Sequence, residues 1–201
     1  PGVYDVNVKS MEIKNSPDKT FESIEIKGGE TVEKEVDFSS GTLKIGALKG
    51  KKCVDALVTV KDGESGQEVA RGRTYVSSDT NPKVFELVPG VYDVAVTALG
   101  IKNKPVITYD SVEINATGTV EETAGFTSGV LKIGALDGRK FEDAIVTISD
   151  SGTGEQVIRG RIRKDSKSNP LEFEIEPGVY DIKVQALDIL TKPVKEFKSV
   201  E

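Results

Sequence analysis

Two Arg-Gly-Arg triplets contain the residues of this sequence that are best suited to binding a ligand. They place Arg71 two positions from Arg73, and Arg159 two positions from Arg161. In an extended strand, side chains two positions apart share a face, so the arginines of each pair point the same way. Neighbouring guanidinium groups can form bidentate hydrogen bonds with carboxylate, sulfate or phosphate groups, for example on an acidic glycan.

The same arginines also have a structural interpretation. If Ile158 and Ile162 point inward, Arg163 joins the second arginine pair on the outer face. A nearby predicted strand carries glutamates that alternate outward, which would allow a ladder of cross-strand ion pairs. We expect this ladder rather than a ligand site, because exposed ion pairs are common on sheet surfaces. The expected partners are Glu172, Glu174 and Glu176.

A second recurring stretch is the hexapeptide Pro-Gly-Val-Tyr-Asp-Val. It starts at Pro1 and again at Pro89, and a version ending in Ile starts at Pro177. Pro-Gly favours a turn, and the following alternation puts the tyrosine on the inward face of a strand. Because no base or metal ligand accompanies the tyrosines, we expect them to be structural, with hydroxyls that bond nearby backbone groups. They are Tyr4, Tyr92 and Tyr180.

The composition argues against several kinds of chemistry. The sequence contains no histidine and a single cysteine, Cys53, which leaves no Ser-His-Asp triad, Cys-His pair or histidine-ligated metal. A net charge of −6 opposes nucleic-acid binding. Loops 62–66 and 150–154 lack the regular ligand series of a calcium loop and predict hairpin turns. We therefore expect no cofactor, no metal site and no enzymatic activity.

The arginines and tyrosines belong to a long internal repeat. Residues 89–201 align with residues 1–113 without a gap, at a spacing of 88 positions. This period is typical of tandem globular domains. Apolar residues alternate with polar ones between turn residues, which predicts the half-buried strands of an antiparallel sandwich. The predicted strands of one copy are 43–48, 55–62, 67–76, 83–88, 91–99, 107–115 and 119–125.

The order of these strand sequences resembles a known family. Gly-Thr-Leu-Lys-Ile at 41–45 precedes Asp-Ala-Leu-Val-Thr-Val at 55–60, and the hexapeptide follows at 89–94. This order is similar to that of the transthyretin-like or carboxypeptidase-regulatory-like β-sandwich modules of bacteria. The resemblance implies an all-β chain of tandem immunoglobulin-like, Greek-key sandwiches, of the kind found beside von Willebrand factor A-type domains in envelope proteins.

The repeat also predicts domain boundaries. We expect residues 38–125 to form a complete sandwich and residues 126–201 to form a second one without its last strand. Residues 1–37 would be the last three strands of a preceding, incomplete copy. Cutting at each hexapeptide, into 1–88 and 89–176, is the other possible division. Because unpaired edges attract strands, we expect strand exchange within the chain or head-to-tail self-association with a neighbour.

These features favour a structural or protein-interaction role. We expect a spacer or adhesive arm whose partners are other domains of a larger protein, and the resemblance implies an extracellular or periplasmic location in the cell envelope. The alternative is a carbohydrate- or anion-binding module that uses the arginine pairs. We expect no membrane insertion, because no apolar run is long enough to span a bilayer.

Overall fold

The computed structural model describes residues 1–201, and β-strands are its regular elements. The predicted all-β fold is confirmed. The structure has no helix that could cross a membrane. The strands are β1 (Gly2–Lys9), β2 (Asp18–Ile26), β3 (Gly41–Lys49), β4 (Lys52–Cys53), β5 (Ala56–Asp62), β6 (Glu68–Thr74), β7 (Lys83–Leu87), β8 (Gly90–Ala98), β9 (Val106–Ile114), β10 (Thr119–Gly125), β11 (Gly129–Ile133), β12 (Leu136–Asp137), β13 (Lys140–Phe141), β14 (Ala144–Asp150), β15 (Gln156–Ile162), β16 (Leu171–Ile175), β17 (Tyr180–Ala186) and β18 (Val194–Val200).

The chain divides into two compact units. The first unit contains residues 1–97 and 106–124, and the second contains residues 98–105 and 125–201. Residues 98–105 connect β8 to β9 in the sequence, but their contacts place them in the second unit.

The first unit contains two multistranded sheets with buried inner faces. One has the order β6-β5-β8-β9, and in the other β3 lies between β10 and β7. The alternation seen in the sequence buries Leu43 and Ile45 of β3 completely. Strand β10 runs parallel to β3, because the start of β3 lies beside Asn115 and Gly46 lies beside Thr123.

The second unit has a similar arrangement with one difference. Its larger sheet has the order β15-β14-β17-β18, and β11 pairs with β16 alone. Leu131 lies opposite Phe173 in that pair. The core draws on both sheets, and its buried members are Ile133, Ala144, Val146, Ile148, Ile158, Ile162, Phe173, Ile175, Tyr180 and Ile182.

The first 37 residues differ from the prediction of three strands. Strands β1 and β2 form a separate two-stranded hairpin, and residues 31–37 belong to no strand. Tyr4 was expected to point into a core, but 48% of its surface is exposed. The physical reason is that alternation buries a side chain only when a second sheet covers that face of the strand.

Candidate protein-interaction sites

The arginines of both triplets lie on exposed faces of β6 and β15. The guanidinium of Arg73 donates two hydrogen bonds to the carboxylate of Asp55, one of them at 2.6 Å. Arg161 binds Asp143 in the same bidentate way, at 2.9 and 2.6 Å. Both aspartates immediately precede an inner strand, so each arginine reaches from an edge strand to its neighbour. The guanidinium donors of Arg73 and Arg161 are therefore engaged within the protein. Arg71 binds Glu68 of its own strand at 2.6 Å.

These pairs favour the ionised aspartates. The hydrogen bond from Arg73 lowers the pKa of the Asp55 carboxyl below its ordinary value, although burial opposes the shift. The hydrogen bond from Arg161 lowers the pKa of Asp143 in the same way. Both aspartates therefore remain charged, and both pairs stay intact, at a lower pH than an isolated carboxyl would allow.

The predicted glutamate partners of the arginines are wrong. Glu172 instead binds Lys132, at 2.5 Å, across the β11–β16 pair. Glu174 accepts a hydrogen bond from the Ser128 hydroxyl. The reason is that β16 belongs to a different sheet from β15. Alternation predicted which face of its strand each arginine and glutamate lies on, but it did not predict which strands pair with each other.

The glycine between the arginines has a packing role. It lies on the inward face of β6, where a Cβ atom at Gly72 would approach Lys83 Cε to 2.7 Å and Phe85 Cζ to 2.9 Å. At Gly160 the same atom would lie 2.9 Å from both Leu171 and Phe173. The Arg-Gly-Arg pattern is thus compatible with sheet packing alone.

Two of the three hexapeptide tyrosines bond the chain just before them. The Tyr92 hydroxyl donates to the Val88 carbonyl at 2.6 Å, and that of Tyr180 donates to the Glu176 carbonyl at 2.8 Å. Burial raises the pKa of both phenols above the ordinary tyrosine value. The tyrosines are therefore neutral at physiological pH, and each closes the turn that carries Pro-Gly. We call residues 86–92 and 174–180 the tyrosine turns.

In the first unit, the tyrosine turn binds the loop between β1 and β2. Asn15 Nδ2 donates to the Tyr92 hydroxyl at 3.2 Å, and Asn15 Oδ1 accepts from the Val88 amide at 3.2 Å. The Lys14 amide donates to the Glu86 carbonyl at 2.9 Å. Ile13 is buried beside these bonds, with 7% of its surface exposed. The loop is thus held by three polar contacts and one apolar anchor.

The second unit repeats this arrangement with residues 98–105. Asn103 Nδ2 donates to the Tyr180 hydroxyl at 3.4 Å, and Asn103 Oδ1 accepts from the Glu176 amide at 3.0 Å. The Lys102 amide donates to the Glu174 carbonyl at 2.8 Å. Ile101 is 2% exposed. We call residues 10–17 and 98–105 the bound loops.

The aspartate of the hexapeptide holds a bulge in the adjoining strand. Asp93 Oδ1 accepts a hydrogen bond from the Ser111 amide at 2.9 Å, and Ser111 has a φ of 57°. The ladder between β8 and β9 shifts register at this point. The same bond joins Asp5 to Ser23, and Asp181 to Ser199. This local hydrogen bond supports a left-handed conformation that serine adopts at a cost.

The two aspartate-rich loops form turns. Asp62 accepts hydrogen bonds from the amide and the hydroxyl of Ser65, and Asp150 accepts from the amides of Gly152 and Thr153. These bonds lower the pKa of both carboxyls, with the Ser65 hydroxyl as the main cause for Asp62 and the Thr153 amide as the main cause for Asp150. Each carboxylate therefore stabilises its own turn.

The bound-loop asparagines and the bulge serines were missed by the sequence analysis. A usable signal was present for both. Ile-Lys-Asn occurs at 13–15 and again at 101–103, and a serine follows each hexapeptide aspartate after 18 positions, at Ser23, Ser111 and Ser199. The repeat shows that these residues recur at equivalent positions, but it does not indicate what they contact. In the structure the asparagines bond the tyrosine turns and the serines bond the hexapeptide aspartates.

No protein-family model and no curated protein matches the chain. Among solved structures, the chain is similar to the Bacillus anthracis TIE protein at 21% identity and a TM-score of 0.39. The matched region covers 99% of this chain and 39% of that one. The chain thus spans well under half of that protein. A streptococcal ancillary pilin matches at 11% identity and a TM-score of 0.43, covering 96% and 69% of the two chains. The tip fimbrial protein Mfa3 from Porphyromonas gingivalis matches at 10% identity and a TM-score of 0.38, covering 79% and 81%. Similarity at this level assigns no function.

Proposed function

We propose that the chain is a non-catalytic structural or protein-interaction module, a spacer or adhesive arm of a larger secreted or envelope protein. In this proposal, residues 38–125 and 126–201 are tandem transthyretin-like sandwiches, and residues 1–37 come from a preceding copy. The sequence resemblance supports this division and also the extracellular or periplasmic location. A von Willebrand factor A-type domain elsewhere in the larger protein belongs to the same proposal.

The observation that carries the structural role is the bound loop, which recurs in both units. In each, an asparagine uses its amide oxygen and nitrogen to bond the tyrosine turn, and an isoleucine is buried beside it. A free surface loop available to a ligand would leave these groups accessible to solvent. Here the asparagine and isoleucine side chains hold the loop as part of the folded unit, which suits a spacer or adhesive arm.

Limited trypsin digestion tests this role, because the bond between Lys102 and Asn103 lies inside the second bound loop. We expect the intact chain to resist cleavage there, and Asn103→Ala to be cut about tenfold faster, because losing these hydrogen bonds raises the open population by roughly that factor. Lys104→Ala changes an exposed side chain of the same loop and serves as the control. Rapid cleavage of the unmodified chain at Lys102 would contradict the structural role.

The alternative is an anion- or carbohydrate-binding module, and one observation favours it. Arg159 is exposed and joins none of the ion pairs, and it lies on the same face of β15 as Arg161. Calorimetric titration with a sulfated or uronic-acid oligosaccharide distinguishes the two functions. Saturable binding that Arg159→Ala abolishes would support the module that binds anions, whereas the structural role predicts no saturation.

A further inference from the structure

The outer face of the larger sheet carries more positive charge in the second unit than in the first. In the second unit, Thr147 of β14 lies between Arg159 of β15 and Lys183 of β17, directly opposite both. Directly opposite residues are about 5 Å apart, so the backbone positions of the two cations are about 10 Å apart across Thr147. The matching residues of the first unit are Arg71, Thr59 and Ala95. The second unit therefore has two cations in this row where the first has one.

Arg159 also lacks the ion pair that occupies its counterpart. Arg71 binds Glu68 of its own strand at 2.6 Å. The matching residue of β15 is Gln156, which carries no charge. Arg159 accordingly forms no hydrogen bond or ion pair, and its side chain is exposed. Its guanidinium donors are thus available to an anion.

Lys183 has available donors as well. Its ammonium lies 3.9 Å from the Glu196 carboxylate of β18, which is too long for a hydrogen bond. The side chain of Lys183 is 53% exposed, and that of Glu196 is 51% exposed. Because an ammonium carries three donors, Lys183 can bind a ligand without breaking a hydrogen bond of the protein.

A hollow of about 220 Å³ lies beside this row of residues on the same sheet face. Its lining includes Thr147, Ser149, Lys183 and Glu196. The hydroxyls of Thr147 and Ser149 form no hydrogen bond within the protein, although both residues are half-buried. The hollow is smaller than the roughly 300 to 1,000 Å³ of sites for drug-sized ligands, which suits a single sugar ring.

This set of groups favours an acidic sugar over other anionic ligands. The two cations suit a carboxylate, and the hydroxyls and the Glu196 carboxylate suit the hydroxyl groups of a sugar ring, which both donate and accept. An acidic peptide would instead place further carboxylates beside Glu196 and Asp181, where like charges repel. A simple anion would leave the hydroxyls of the hollow unused.

We propose that this hollow binds one hexuronic acid residue of an acidic glycan. The sugar carboxylate lies between Arg159 and Lys183, above the Thr147 hydroxyl, and the ring hydroxyls bond Ser149 and Glu196. The first unit lacks this site, because Arg71 is paired and Ala95 stands in place of the lysine. The inference gives a place and a ligand to the anion- or carbohydrate-binding alternative above and rests on it.

Amide NMR of the full chain during titration with sodium glucuronate and sodium galacturonate tests the proposal, because the amides of β14 and β17 report on the hollow. We expect saturable shifts at Thr147 and Lys183 with at least one uronate, at a dissociation constant of about 1 to 10 mM for a single ring. Glucose lacks the carboxylate and acetate lacks the hydroxyls, so each should bind at least about tenfold more weakly. Saturation by neither uronate, or equal binding of glucose or acetate, would overturn the proposal.

Two variants bring residues of the first unit into the second, so both are compatible with the fold. Lys183→Ala removes one cation, and Gln156→Glu gives Arg159 the carboxylate partner that Arg71 has. Each should weaken uronate binding at least about tenfold. Lys167→Ala removes an exposed positive charge from a loop of the same unit and should leave binding unchanged.

These variants also separate the hollow from the broader binding alternative. If Arg159→Ala abolished the binding of acidic oligosaccharides while Lys183→Ala left it unchanged, the alternative would stand and the hollow would be the wrong site. None of these results alters trypsin resistance at Lys102, which tests the structural role separately.

Discussion

Replacing Gly41 by Ala should destabilise the first unit by about 3 kcal/mol, whereas Gly129→Ala should change the stability of the second unit by less than about 0.5 kcal/mol. A Cβ atom at Gly41 would lie 2.3 Å from the Asn115 carbonyl oxygen and 2.6 Å from Ile114 Cγ2. At Gly129 the same atom meets nothing within 4 Å. The two glycines match in sequence, so the contrast measures the contacts rather than the substitution.

Urea unfolding followed by amide NMR measures the two effects, because backbone amides report on each unit separately. The midpoint should fall for first-unit amides in Gly41→Ala and stay within error for second-unit amides in Gly129→Ala. Similar losses of stability in the two variants would mean that Gly129 is as closely packed as Gly41. That result would contradict the structure, in which β11 pairs with β16 alone.

Replacing Asn81 by Ala should cost the first unit about 2 to 3 kcal/mol. Asn81 is 7% exposed, and its side chain accepts a hydrogen bond from the Ala47 amide at 3.0 Å and donates one to the Ala47 carbonyl at 2.7 Å. Ala47 is completely buried, so the substitution leaves its amide without a partner, while its carbonyl keeps the hydrogen bond from the Val54 amide at 2.9 Å. Asn169 bonds Ala135 in the same way, and Asn169→Ala should destabilise the second unit.

The same NMR-detected unfolding measures this loss. Asn81→Asp provides a sharper variant, because a carboxylate still accepts from the Ala47 amide but cannot donate to the carbonyl. Ser78→Ala, at an exposed position of the same loop, is the control and should leave the midpoint unchanged. If Asn81→Ala behaved like Ser78→Ala, the side chain would not bridge β3 to its neighbours.

Local sequence determines much of this fold. The alternation predicted β10 at its observed bounds, and it put Tyr92, Val94 and Val96 on a buried face. The bounds of a strand and the direction of its side chains depend on residues adjacent in the sequence and on the two-residue period of a strand. A strand's face can therefore be read from a short stretch of sequence.

Long-range pairing explains what the sequence did not predict. Arg161 lies outward as expected, but Asp143 binds it because β14 is its neighbour in the sheet. Residues 31–37 have the pattern of a strand, yet no edge within the described chain pairs with them. Asn103 looks like an ordinary loop residue until the fold brings Tyr180 beside it, 77 positions later. Pairing partners are set by the fold as a whole, which alternation does not encode.

Native-state hydrogen exchange at the Lys102 amide tests the central claim, that the bound loops are part of the folded units. This amide donates to the Glu174 carbonyl inside the second unit. We expect it to exchange as slowly as the amides of β16 and β17, so that it opens only when the unit unfolds. Exchange as fast as in the exposed loop at 163–167 would contradict the claim.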